Sequence, residues 1–167
     1  MVRWCMAWLM LAGLGVAADN EAALTGTNLV MGVPAGWTRR IDAHGATVAF
    51  RDPQSLAGLS AVVSEPTDLG PAGFAKQCLD ELQGGCAGFT VLDSGFGYHM
   101  GSLTWSHVHY RLRLGTVIFD QVTYITVSDG RGVVITGSAL SEAMPALLPV
   151  FERIALSAGL SRPTLGR

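Results

Sequence analysis

The chain has 167 residues, 14% of them charged, a formal net charge of −2 and a single lysine, Lys76. That length suits one domain with a core of its own. No basic patch or arginine-rich run is present, which argues against a nucleic-acid partner and against a mainly electrostatic attachment to membranes.

Residues 1–18 read as an export signal. Arg3 supplies the positive start, Trp4 to Val16 the apolar stretch, and Val16-Ala17-Ala18 the small residues that predict cleavage before Asp19. About 15 apolar residues fall short of the roughly 20 that a spanning helix needs. Cys5 lies inside the apolar stretch and not just after the cleavage site, which disfavours a lipoprotein. The mature protein is therefore expected in the periplasm or outside the cell, with no transmembrane segment after cleavage. Cleavage leaves Cys78 and Cys86, an even pair in an oxidising compartment, and a disulfide between them is expected. The bond would stabilise by about 2–3 kcal/mol. The other reading is two separate buried thiols, because Cys78 falls on the apolar stripe of a helix.

Residues 19–27 are small and polar, a flexible lead-in to a single domain over 28–157. A short strand over 28–33 runs into the turn Pro34-Ala35-Gly36. A hairpin follows, with strands over 37–42 and 46–51 around Ala43-His44-Gly45, so that His44 is a turn residue. Asp52-Pro53 ends it, because proline offers the ladder no donor. Another strand covers 59–64. Pro71 opens a helix at the position where its missing N–H costs nothing. Phe74, Ala75, Cys78, Leu79 and Leu82 make its apolar stripe, and Gly84-Gly85 ends it, reversing the backbone so that Cys86 returns towards Cys78.

A strand over 89–93 then enters a glycine-rich bend over 94–101. Its glycines precede no helix and bring no P-loop lysine, so a strand-to-strand connection is expected. Three strands follow over 103–114, 117–128 and 131–140. Gly115-Thr116 and Asp129-Gly130 join them, and Asp-Gly between β-branched runs marks a hairpin whose turn takes positive φ at both centres. The register follows from the first turn: Leu114 opposite Val117, Leu112 opposite Phe119, Tyr110 opposite Gln121 and Val108 opposite Thr123. This set is mostly apolar and is expected to face the main core. Ser141 is placed to cap a last helix, with Leu147, Leu148, Val150, Phe151 and Ile154 on its buried side and Pro149 near its start. Residues 158–167 read as a tail.

The opposite face of the meander carries Trp105, His107, His109, Arg111 and Tyr124, with Asp120 across from Arg111. Aromatic residues with arginine are the composition favoured where proteins bind one another, so these five form the candidate partner face. Coverage by the N-terminal strands or a helix would make it ordinary core instead. Arg111 and Asp120 read as a cross-strand surface pair worth a few tenths of a kcal/mol. His107 and His109 project from one face and are weak candidates for a shared metal, needing a third ligand from Asp120 or His99. No Gly-x-Ser-x-Gly elbow and no paired catalytic carboxylates occur, so no enzyme and no cofactor are expected.

Taken in order, the pattern resembles the PsbP-like superfamily, which includes the exported bacterial DcrB-type proteins and the Eag chaperones of type VI secretion. The points of likeness are Val33-Pro34-Ala35-Gly36-Trp37 at the start, a hairpin ending in Phe50-Arg51-Asp52-Pro53, and a short strand leading to the first helix. The stretch from Phe89 to Gly95, a strand with a central Tyr110, two more strands and the final Phe-x-x-Ile at Phe151 to Ile154 complete it. The Eag chaperones lack an export signal, in contrast with residues 1–18. The resemblance implies an α+β fold, an antiparallel sheet with a β-meander core flanked by two or three helices. It also implies an accessory or chaperone-like protein that binds a protein partner without catalysis. A small-molecule or metal-binding module is the alternative, and an enzyme a more distant one.

Overall fold

A computed structural model describes residues 20–40, 47–54, 57–86, 88–100 and 102–160. The expected export signal and His44 lie outside the described residues. The chain forms β1 (Asn20–Ala23), β2 (Leu29–Val33), β3 (Thr38–Arg40), β4 (Val48–Arg51), β5 (Ala57–Pro66), α1 (Pro71–Gly85) and β6 (Thr90–Met100). It continues with β7 (Leu103–Leu114), β8 (Val117–Ser128), β9 (Arg131–Leu140), α2 (Met144–Ser157) and β10 (Gly159–Leu160).

Seven strands make an antiparallel sheet in the order β3-β4-β5-β9-β8-β7-β6, and β1-β2-β10 make a small second sheet. The expected meander is present residue for residue. Leu114 pairs with Val117, Leu112 with Phe119, Tyr110 with Gln121, Arg111 with Asp120 and His107 with Tyr124. Asp129 and Gly130 take φ of 53° and 69°, the paired positive values that a type I′ hairpin turn requires.

The helices lie on opposite faces of the large sheet. α2 sets the Phe151 ring over Gly137 of β9, where an added Cβ would come within 2.3 Å of it. α1 sets Phe74 over Gly132 on the other side. The alternation of a strand then decides which core each residue joins. Trp105, Val122, Tyr124, Val133 and Ile135 meet Phe151, Ile154 and the buried Leu29, Met31 and Val33 of the small sheet in one large cluster. Ile125, Phe74 and Ala75 form a small one beneath α1. The main core therefore lies on the Trp105–Tyr124 face, opposite to the expectation. Val108 and Tyr110 are buried as well, but on the face that α1 covers.

Four local readings change. The lead-in contains β1, paired with β2, and Leu24 is fully buried. The start of the tail pairs too, with Gly159 opposite Val30 and Leu160 opposite Leu29. Of the expected bend, residues 94–100 are the second half of β6, which stays paired to β7 through two bulges. Ser141 caps nothing: α2 starts after Ala143 with no side-chain cap, and the Ser141 hydroxyl turns to Asp120 instead.

The expected disulfide is not formed, and Cys78 and Cys86 are free thiols. The cause is the length of α1, which runs through Gly84 to Gly85 while the Cys86 N–H still donates to Leu82 O. A helix advances about 10 Å from Cys78 to Gly85, beyond the roughly 4.4–6.8 Å between Cα atoms that a disulfide spans. Burial pushes the Cys78 thiol up to about 11, with the Glu81 carboxylate adding to it, so it is a poor nucleophile.

Candidate functional site

The meander lays side chains out in rows that cross the strands. On the α2 side, Trp105, His107, His109 and Arg111 of β7 follow one another at every second position. Tyr124 stands beside His107, Val122 beside His109 and Asp120 beside Arg111. From β6 come Tyr98 beside Trp105, Gly95 beside His107 and Asp93 beside His109. These rows run from core to water. Trp105 is 1% exposed and Tyr124 6%, so both belong to the core and neither is part of a free surface. The side chains of His107 and Arg111 are 25% and 43% exposed.

Asp120 is more than one half of a surface pair, because its side chain is 5% exposed. Arg111 Nε and Nη2 donate to its two oxygens at 2.7 and 2.9 Å, and Ser141 Oγ donates to Oδ1 at 2.6 Å. The Arg111 hydrogen bonds hold the carboxyl below its usual value against the opposing effect of burial, and Ser141 assists. Asp120 thus ties the connection between β9 and α2 to the middle of the sheet.

His107 is held at both ring nitrogens. Nε2 lies 3.2 Å from Asp93 Oδ2 and Nδ1 lies 3.1 Å from the Tyr98 hydroxyl. A carboxylate only accepts, so in the neutral ring Nε2 carries the proton and Tyr98 donates to Nδ1. Gly95 makes the room: a Cβ there would sit 2.8 Å from His107 Cε1. Burial raises the Tyr98 hydroxyl to about 12, with the Glu152 and Asp93 charges adding, so it stays protonated. His109 differs, because its Nε2 is buried and has no partner among the described residues. Desolvation lowers its pKa.

Neither of the third ligands expected for a shared metal is placed free beside the two histidines. Arg111 and Ser141 occupy Asp120, and His99 Nδ1 faces Thr104 Oγ1 at 3.2 Å. Among the described residues, no group of three His, Cys, Asp or Glu side chains is placed to hold an ion. A cleft of about 140 Å³ lies elsewhere, between β2 and α2, lined by Gly32, Val33, Pro34, Val150, Arg153 and Ile154. It is small beside the roughly 300–1,000 Å³ of sites for drug-sized ligands.

Outside the rows, β6 is the last strand of the sheet. Val91, Leu92 and Phe96 on it are exposed, and no Lys, Arg or Pro lies within it. At the opposite margin, β3 has three exposed residues, two of them Arg39 and Arg40. Sequence reasoning missed Asp93 and Tyr98 as partners of His107, and it missed Ser141 as a partner of Asp120. The available signal was the glycine spacing Gly95-Phe96-Gly97, since Gly97 takes a φ of 69° at the second bulge.

The fold is PsbP-like: a large antiparallel sheet with a helix on each face. Among solved structures, the solution structure of cyanobacterial PsbP (CyanoP) from Synechocystis sp. PCC 6803 matches with a TM-score of 0.67 at 18% identity, over 89% of this chain and 96% of that one. LpqN of Mycobacterium tuberculosis, described as involved in cell envelope biogenesis, matches at 0.59 and 15%, over 80% and 83%. The Ran-binding protein Mog1p of Saccharomyces cerevisiae matches at 0.58 and 11%, over 84% and 94%. No protein-family model and no curated protein sequence matches the chain. At these identities the likeness is one of fold. Among the described residues, no helix is long and apolar enough to cross a membrane.

Proposed function

We propose that the protein is a non-catalytic binding or accessory domain, exported to the periplasm or beyond, that takes a protein partner along β6 and the adjoining Arg111–His107 rim. The observation that carries this reading is the outer strand itself, which is 11 residues long and leaves Val91, Leu92 and Phe96 in water. Apolar side chains left exposed together mark interaction sites more often than scattered ones do. Arg111 and His107 give the rim its polar contacts, and Trp105 and Tyr124 support it from the core. Proteins of the same fold lend the reading weight by example: Mog1p is named for binding Ran, and LpqN for work at the cell envelope.

Crosslinking and capture from the native compartment, with Phe96→Asp and Arg111→Ala beside the wild type, test the surface. Loss of the captured partner in both variants is expected, and undiminished capture would remove the surface. N-terminal sequencing of the mature chain tests export. It should begin at Asp19.

A further inference from the structure

His107 and His109 share a strand face and stand two residues apart, yet their rings are held in different ways. His107 has a partner at each ring nitrogen, the Tyr98 oxygen at Nδ1 and Asp93 at Nε2. The His109 cation, which carries a proton on both ring nitrogens, has at Nε2 a buried donor with nothing to receive it.

The Asp120 and Asp93 charges favour a protonated His109, but neither carboxylate is hydrogen-bonded to Nε2. From β6, Asp93 has Oδ1 on the Ser94 N–H and Oδ2 on His107. From β8, both Asp120 oxygens are taken by Arg111, and Oδ1 also accepts from Ser141. On β7 itself the flanking groups are Arg111 and His107, one a cation and the other able to become one. From α2, the Glu152 charge acts on Tyr98 and Tyr124. Asp120 is the charge that acts most on His109, yet its carboxylate does not reach Nε2, so it must turn to accept from a protonated ring, and the bond that turning strains without a charge to hold it is the one from the Ser141 hydroxyl.

We propose that His109 is an acid-sensitive trigger whose protonation loosens the Asp120–Ser141 tie and with it the attachment of the start of α2 to the sheet. Beneath that helix lie Val122 and Tyr124, in the same buried cluster as Phe151, so acid would free an apolar surface that is closed at neutral pH. The device acts inside the fold and does not depend on the partner surface described above.

Hydrogen exchange at pH 7.5 and pH 5.5, corrected for the intrinsic pH dependence of exchange, tests the proposal on the purified protein. One proton taken up on opening raises the open fraction by up to about tenfold per pH unit. The wild type should show this rise over residues 141–148. His109→Gln should abolish it, and His107→Gln should retain it. An equal rise in His109→Gln, or a rise confined to other segments, would overturn the proposal. If His109→Gln does not fold, proton NMR titration of the wild-type rings decides. His109 must then titrate together with amide shifts at residues 141–146, and titration without those shifts refutes the tie.

Discussion

On one face of β9 the Phe151 ring of α2 lies over Gly137, and on the other the Phe74 ring of α1 lies over Gly132. Both contacts use the same device, a glycine that lets an aromatic ring reach the strand backbone. Their surroundings differ. Phe151 sits among the buried residues of α2, the large sheet and β2, whereas Phe74 is joined only by Ala75, Ile125 and a few half-buried neighbours. The same local motif therefore closes a deep core on one side and a thin one on the other. Stability should follow the surroundings, not the motif.

Substitutions on the two faces sharpen this contrast. Phe151→Ala should cost about 3–5 kcal/mol in denaturant unfolding, as for a large ring removed from a full core. Phe74→Ala should cost about 2 kcal/mol, since its ring lies at the border of a smaller cluster. Equal losses would break the comparison. Gly137→Ala and Gly132→Ala each force a methyl group into a ring and should cost about 1–3 kcal/mol, with the larger effect at Gly137, where α2 has less freedom to move away.

A smaller effect tests the tie at Asp120. Asp120→Asn should lose about 1–2 kcal/mol near neutral pH, because it weakens hydrogen bonds to a buried group. The folded pKa of Asp120 is lowered, so its contribution is whole above the unfolded carboxylate value of about 4 and fades as pH falls through the lower folded value. The wild type should show that acid-side loss in thermal melts, and the Asn variant should lack this part of it. The smallest effect concerns the thiols. With Cys78 and Cys86 separate, a reductant should leave the melting midpoint unchanged, and a clear drop would establish a bond between them.

The meander was legible in the sequence because its register is set locally. Gly115-Thr116 and Asp129-Gly130 fix the turns, and the alternation of Val108, Tyr110 and Leu112 with His107, His109 and Arg111 does the rest. Which face holds the larger core was not legible. Both faces are apolar along part of their length, and the answer depends on where α2 and β2 land, far away in the chain. The His107 contacts stayed hidden for a different reason. Each bulge in β6 shifts the pairing by one residue, so Asp93 and Tyr98 reach one imidazole although their spacing fits no regular strand. The disulfide expectation failed on one local judgement, that Gly84-Gly85 would end the helix. Glycine weakens a helix interior by only about 1 kcal/mol, and α1 runs through both.

β2 has β1 along one side and β10 along the other, so the beginning and the end of the described chain are held by a single strand. Asn20 lies opposite Val33 and Leu160 opposite Leu29, so the two ends are four residues apart along β2 and two strand spacings across it, about 17 Å from each other. A bridge of about six to eight residues spans up to roughly 20–28 Å and would splice them. The chain could then be cut open at Asp129-Gly130, giving a circularly permuted molecule with the same sheet order and new ends at a hairpin tip.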